Sequence, residues 1–400
     1  LNRTSALAAT IALATAAALG GCATPTIEPP GTTAAQPAIA APSCATASAT
    51  LRFDFAGASS ARCVIMGERE FSLVISPEHA PPINPSPWYA FRYSSSEPGG
   101  ITIHLRYLEA HHRYSPKLTR NGKISGLPVT TATDGSSATF LLPAGEGTVS
   151  AQPVLATSHY TDVARRLTTR FDGQRLELGR SLDQRPIEGL HFGAADAPRL
   201  VVILGRQHPP EVTGAFALEP FLEELLIRLQ RDSRLHARYQ ILAVPLLNPD
   251  GVAMGHWRAN RGGTDLNRDW GPFTQPETRA VRDWLKHLPS ATTPVAMLDF
   301  HSTQRNLFYV QGDEADAVGE AFLTRWLVGR ERQLADYPFT IERRNNNPGS
   351  GTAKNWFFER FAIPAYTYEV GDDTDPAATA AAARILAAEF LVALESVETP

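Results

Sequence analysis

Two apolar runs constrain this chain more than anything else in it. Leu200-Val201-Val202-Ile203-Leu204 and Val295-Ala296-Met297-Leu298-Asp299-Phe300 are too uniformly apolar for strands with one solvated face, so they read as strands covered on both sides. Comparable runs stand at Leu176–Gly179, Ile187–Phe192 and Ile241–Leu246. Between them, Ala215 to Leu229, Glu277 to His287, Ala315 to Leu334 and Ala377 to Leu394 carry apolar residues at helical spacing. Strands alternating with helices predict an α/β domain built on a central sheet. Ligand sites in such sheets gather beyond the carboxyl ends of strands. Both defining runs deliver a histidine there: His208 comes shortly after Leu204, and His301 directly follows Phe300.

Upstream the period changes from helical spacing to strict alternation. Leu51–Phe55, Glu70–Ile75, Trp88–Tyr93, Ile101–Leu105 and Ser137–Leu141 alternate between turns rich in Pro, Gly and Ser, which predicts an antiparallel β-sandwich over 46–165. His111 and His112 are adjacent, would face opposite sides of a strand, and read as surface residues. Residues 22–45 are mostly Ala, Pro, Thr and Ser, a composition that cannot bury a core and reads as a flexible tether. Ahead of it, residues 1–21 carry one Arg and an apolar run too short for a comfortable membrane span, ending in Leu19-Gly20-Gly21-Cys22. This string resembles a bacterial lipoprotein signal peptide. It implies lipidation of Cys22 and, with Ala at position 23, placement on the periplasmic face of the outer membrane; a cleaved soluble signal is the alternative. Cys44 and Cys63, 19 positions apart, are candidates for a disulfide in that oxidising compartment, worth roughly 3 kcal/mol by loop closure. A net charge of −4 argues against a nucleic-acid partner and leaves the lipid as the only membrane contact.

His208-Pro209-Pro210-Glu211 sets an imidazole and a carboxylate three residues apart, able to hold one cation from a single turn. With His301 they make three protein ligands, and a fourth position left open for water distinguishes a catalytic from a structural zinc. Alone, a His-x-x-Glu is as readily a solvated pair on a helix; the neighbouring strings decide. Leu178-Gly179-Arg180-Ser181, Arg185-Pro186-Ile187, Asn248-Pro249-Asp250-Gly251, Trp257-Arg258 and Asp265-Leu266-Asn267-Arg268 make residues 172–396 resemble the zinc metallocarboxypeptidases. Ser86–Arg92 is similar to the domain that marks their cytosolic-carboxypeptidase branch, which includes enzymes that trim glutamate from protein tails.

The resemblance implies an α/β fold over 172–396 with a mixed central sheet flanked by helices, and one Zn2+ per chain, bound by His208, Glu211 and His301, with Asp265 orienting the first His. Two imidazoles and one carboxylate leave net positive charge on the metal, enough to acidify a water and polarise a carbonyl. Glu369, in Tyr366-Thr367-Tyr368-Glu369-Val370, matches the general base. Arg258, with Arg261 as a nearby rival, matches the residue that stabilises the oxyanion. Asn267 and Arg268 match the pair that holds the C-terminal carboxylate of a peptide or protein substrate, a task suited to a guanidinium fork.

Two features depart from the family. Its mobile Tyr, some twenty residues before the base, has no counterpart, since the ungapped count back from Glu369 lands on Asn347. The same count puts Lys354 where the family reads the departing side chain. A cation there predicts release of C-terminal Glu or Asp, with Arg343 and Arg344 as reserve cations; the alternative is an ordinary solvated helix position. Periplasmic placement would equally suit a cell-wall (muropeptide) carboxypeptidase, or an amidase, using the same zinc chemistry. A binding protein that kept only the fold would not need every ligand, base and Arg candidate, and here all are present.

Overall fold

The computed structural model describes residues 44–79, 83–96, 98–345 and 347–398. The expected signal peptide, Cys22 and residues 22–43 of the tether lie outside the described residues. Cys44 and Ala45, expected in the tether, form instead a short strand paired with Ala49–Arg52.

Two sheets enclose the first core. One orders Cys44–Ala45, Ala49–Arg52, Ala90–Ser95, Gly145–Ser150, Lys117–Arg120 and Lys123–Gly126; the other orders Arg62–Gly67, Glu70–Ile75, Ile101–Tyr107, Ser137–Leu142 and Thr130–Thr131. All neighbours are antiparallel except Glu70–Ile75 beside Ile101–Tyr107, a parallel pair that the alternation by itself could not reveal. Alternate residues point inward: Leu51, Phe91, Tyr93 and Val149 from one sheet meet Phe71, Leu73, Ile103, Leu105 and Phe140 from the other. Cys44 and Cys63 are joined by a disulfide with Cα atoms 6.0 Å apart, which ties the edge strand of one sheet to that of the other.

The second core surrounds an eight-stranded sheet. Its strands are Gln174–Arg180 (β1), Pro186–Phe192 (β2), Arg199–Gly205 (β3), Tyr239–Val244 (β4), Thr293–Thr303 (β5), Leu307–Gln311 (β6), Thr340–Arg344 (β7) and Ala365–Gly371 (β8), in spatial order β1-β2-β4-β3-β5-β8-β6-β7. The four central strands are parallel, while β1, β2 and the β8–β6 pair supply the antiparallel contacts that make the sheet mixed. Val201, Ile203, Leu298 and Phe300 face the helices Val212–Arg231 (α1) and Pro376–Glu398 (α2). Leu200, Val202, Leu204 and Met297 face Pro276–Lys286 (α3) and Ala353–Phe361 (α4). This two-sided cover is why β3 and β4 are continuous apolar runs. Pro376–Val397 is long and apolar enough to cross a bilayer, and in the fold Ala383, Leu386, Phe390 and Leu394 bury in the core.

One predicted helix divides. Ala315 to Leu334 becomes Ala317–Trp326 and Arg330–Gln333, because Gly329 takes a φ of 91° that no helical residue can adopt. Strands β6 and β7 were not anticipated: β6 is only five residues long, and β7 is short and mostly polar. The two cores are joined by polar contacts. Arg113 of the sandwich makes a bidentate ion pair with Asp372, through Nε at 2.8 Å and Nη2 at 3.2 Å, and Gln152 donates to the Asp372 carbonyl at 2.8 Å.

Candidate active site

Three parallel strands end side by side and set the chemistry. β3 stops at Gly205, and Arg206, at a φ of 49°, turns the chain so that His208 and Glu211 precede the first turn of α1. On β5 and β8, His301 and Glu369 are register partners on neighbouring strands. Gly214 lets α1 approach β5 closely: a Cβ there would lie 2.7 Å from the His301 carbonyl oxygen. In that space the Gly214 amide and the Thr213 hydroxyl both donate to Ser302 Oγ at 2.8 Å, pinning the helix to the strand that carries His301.

The three ligand candidates are buried and turned toward one another. His208 Nδ1 lies 2.8 Å from Glu211 Oε1, His301 Nδ1 lies 2.7 Å from Glu211 Oε2, and the two Nδ1 atoms are 3.2 Å apart. Donors at 2.0–2.1 Å from a tetrahedral ion would sit about 3.3 Å from each other, so this convergence fits a shared cation. The far ring nitrogens are held too. His208 Nε2 is 2.8 Å from Asp265 Oδ1, and His301 Nε2 is 2.7 Å from Asp299 Oδ2, which also accepts from Gln207 Nε2 at 2.6 Å. These carboxylates place the ring proton on Nε2 and leave both Nδ1 lone pairs for metal.

The electrostatics agree with that donor set. Burial raises the Glu211 carboxyl, but His208 and His301 overcome it and hold the group well below its usual range. Burial lowers His301, against Asp299 and Glu211, which drive it well above its own. Asp265 is likewise raised by burial and pulled well down by His208 and Arg258. Its second oxygen accepts from Arg258 Nε at 2.6 Å, so one carboxylate fixes both a metal ligand and the neighbouring guanidinium.

Around the triad opens a cleft of about 710 Å3. Glu369 lines it, with Oε2 buried and without a hydrogen-bond partner among the described residues, and burial pushes its carboxyl up to about 7. Arg258 lines the cleft, whereas Arg261 is half-exposed and pairs with Asp183, so the rivalry between them resolves to Arg258. Asn267 accepts at Oδ1 from the Ala353 amide at the start of α4, 2.9 Å away, and Arg268 stands beside it on the cleft wall.

Lys354 is buried rather than solvated. Its Nζ donates to the Arg344 carbonyl at 3.2 Å, and burial pushes the ammonium down to about 8. The two reserve cations separate because neighbours on a strand face opposite sides. Arg344 lines the cleft; Arg343 pairs with Glu320 on its outer side.

Sequence reasoning missed Asp299 and Tyr309. Asp299 was legible in principle, since residues two apart on a strand share a face and Asp299-Phe300-His301 ends β5. Tyr309, on β6, carries the only phenol among the described residues lining the cleft, near enough to Glu369 for that carboxylate to add to the upward push of burial on it. No local pattern marks it.

A sequence profile described as zinc carboxypeptidase matches residues 163–387. The chain is 34% identical over 117 residues to cytosolic carboxypeptidase 2 of Danio rerio, covering 28% of this chain and 16% of that one. It is 28% identical over 183 residues to cytosolic carboxypeptidase 6 of Caenorhabditis elegans, covering 43% and 40%. With an uncharacterized protein of Zymomonas mobilis it shares 31% identity over 223 residues, covering 53% and 57%. It therefore spans 16% to 57% of the lengths of these relatives. Among solved structures, a metallo-carboxypeptidase from Burkholderia cenocepacia superposes with a TM-score of 0.75 at 17% identity, over 87% of this chain and 99% of that one. A metallo-carboxypeptidase from Pseudomonas aeruginosa, in complex with (2-guanidinoethylmercapto)succinic acid, gives 0.68 at 20% identity, over 87% and 100%. At these identities the likeness is one of fold.

Proposed function

This chain belongs to the zinc carboxypeptidase family, and on that premise we propose that it hydrolyses the C-terminal peptide bond of peptides or proteins, preferring an acidic last residue. The observation that carries the reading is the meeting in one cleft of a buried His-Glu-His donor set, an unpartnered carboxylate oxygen and a wall of cations. Zinc held by His208, Glu211 and His301 would supply a Lewis acid that polarises the scissile carbonyl and acidifies the attacking water.

The side chains do the rest. Glu369 Oε2, with no other partner among the described residues, accepts the proton of the attacking water and returns it to the leaving amine. Arg258, braced by Asp265, donates to the oxygen on which negative charge develops. Arg268 and Asn267 take the terminal carboxylate, which confines cleavage to chain ends. Lys354, with one hydrogen bond among the described residues, offers its remaining N–H groups to an acidic side chain, and Arg344 adds positive charge beside it. The Leu19–Cys22 string further supports a lipid-anchored enzyme on the periplasmic face of the outer membrane. An acylated N-terminal Cys22 peptide in membrane-fraction mass spectra is the expected result; an unmodified soluble protein would refute that placement.

Amino-acid release from matched peptides ending in L-Glu, L-Phe, L-Lys or D-Ala, with and without a zinc chelator, tests the activity. Chelator-sensitive release of L-Glu alone is expected. Release of L-Phe or L-Lys instead would keep the peptidase and refute the acidic preference; D-Ala release would favour a muropeptide substrate. No release from any peptide, by zinc-loaded protein, would refute the activity on peptides.

A further inference from the structure

Glu78 follows the sandwich strand Glu70–Ile75 and lies about 180 positions before the string that carries Arg258. Its carboxylate accepts from three successive backbone amides. Oε2 takes Trp257 N at 2.8 Å, while Oε1 takes Arg258 N at 3.0 Å and Ala259 N at 2.7 Å. These amides belong to an irregular stretch after Gly255, where neither a helix nor a strand supplies acceptors. Trp257, Arg258 and Ala259 are all buried, so water is a poor substitute partner. Three adjacent N–H dipoles aimed at one carboxylate form the kind of concavity that holds an anion, here filled from within the protein.

The sandwich also grips this stretch through Trp257 and the short helix just before it through Ala253. The Trp257 side chain packs into the sandwich core, and the Gly57 amide donates to the Ala253 carbonyl at 2.8 Å. Arg258 is thus held at both ends, its backbone by Glu78 and its guanidinium by Asp265.

We propose that Glu78 is a positioning residue for catalysis: the N-terminal sandwich reaches across to set the backbone of Trp257–Ala259, and so aims Arg258 at the cleft. The inference rests on the oxyanion role proposed above for Arg258. It gives the sandwich a part in the reaction rather than a separate task. A Gln at this position keeps one oxygen but turns an NH2 toward an amide N–H, so Glu78→Gln removes at least one of the three bonds and sets donor against donor.

The test is a cycle in the full-length, zinc-loaded protein of Glu78→Gln, Arg258→Ala and the double variant. Steady-state kinetics, zinc content, melting temperature and amide hydrogen exchange across 255–262 are the readouts. Glu78→Gln should lower kcat roughly 10- to 100-fold with KM within about twofold, because misaiming a group that acts in the transition state costs that much. Zinc content should be unchanged, amides 257–259 should exchange faster, and the loss should vanish in the Arg258→Ala background. Unchanged kcat in Glu78→Gln, or a loss that adds in full to that of Arg258→Ala, would overturn the proposal. Unchanged kcat in Arg258→Ala would refute the oxyanion role and with it the catalytic part of the proposal; faster exchange at amides 257–259 in Glu78→Gln would then show only that Glu78 holds the backbone.

Discussion

Replacing Lys354 by Met separates the acidic preference from the rest of the mechanism. Lys354 is 6% exposed, and its ammonium falls from 10.5 to about 8 because burial disfavours the charge, with Glu314 opposing. A fall of that size corresponds to about 3 kcal/mol held against the folded state. Below pH 8 both folded and unfolded chains are protonated, so the whole penalty is present. Between 8 and 10.5 the folded chain releases its proton first, the unfolded chain binds more, and stability rises with pH. Met fits the same stem without the charge, so Lys354→Met should stabilise the protein at pH 7 by on the order of 1–3 kcal/mol in urea titrations. The same change removes a charge-assisted contact worth about 1.5–3 kcal/mol, so the kcat/KM ratio for peptides ending in Glu over Gln should fall about ten- to a hundredfold. In the unsubstituted enzyme that ratio should decline above about pH 8, as free Lys354 loses its proton, and it should be pH-flat in the variant. A variant that keeps the Glu preference, or is less stable, would refute the reasoning.

Asp299→Ala should weaken zinc binding roughly 10- to 100-fold in competition with a chromogenic chelator, since it frees the far nitrogen of His301; unchanged affinity would remove Asp299 from the site. Tyr309→Phe should cost about two- to tenfold in kcat/KM, one hydrogen bond's worth, while Asn347→Ala should be silent; the opposite pattern would place the donor in the loop before α4. Arg113→Met should lower stability by about 3 kcal/mol or more in urea, because it strands the buried Asp372 carboxylate, and Asp372→Asn in the same chain should recover much of it. A silent Arg113→Met would show that the pair does not hold the two cores together.

What could be read from the sequence was what its chemistry keeps local. His208 and Glu211 belong to one turn, and His301 directly follows its apolar run, so the donor candidates were visible at strand ends and the neighbouring family-like strings decided between a metal site and a solvated pair. Both-face burial left its mark on β3 and β5, and period-two alternation marked the sandwich. Asp299 escaped although its spacing to His301 was informative. The break at Gly329 escaped because one glycine inside an apolar period signals little until its φ is seen.

By itself, then, the sequence determined an α/β sheet behind a sandwich of short strands, because side-chain periodicity is a property of neighbouring residues, and its short strings carried the family resemblance that implied a zinc donor set at the strand ends. Only the tertiary structure decided that Lys354 is buried beside the cleft, that Arg344 and not Arg343 faces it, that Tyr309 is the phenol at hand, and that Glu78 and Arg113 reach in from the other core. Those contacts join residues about 180 and 259 positions apart. They follow from which sheet edge packs on which loop, and a carboxylate that meets three amides across such a distance has no imprint in the residues around it.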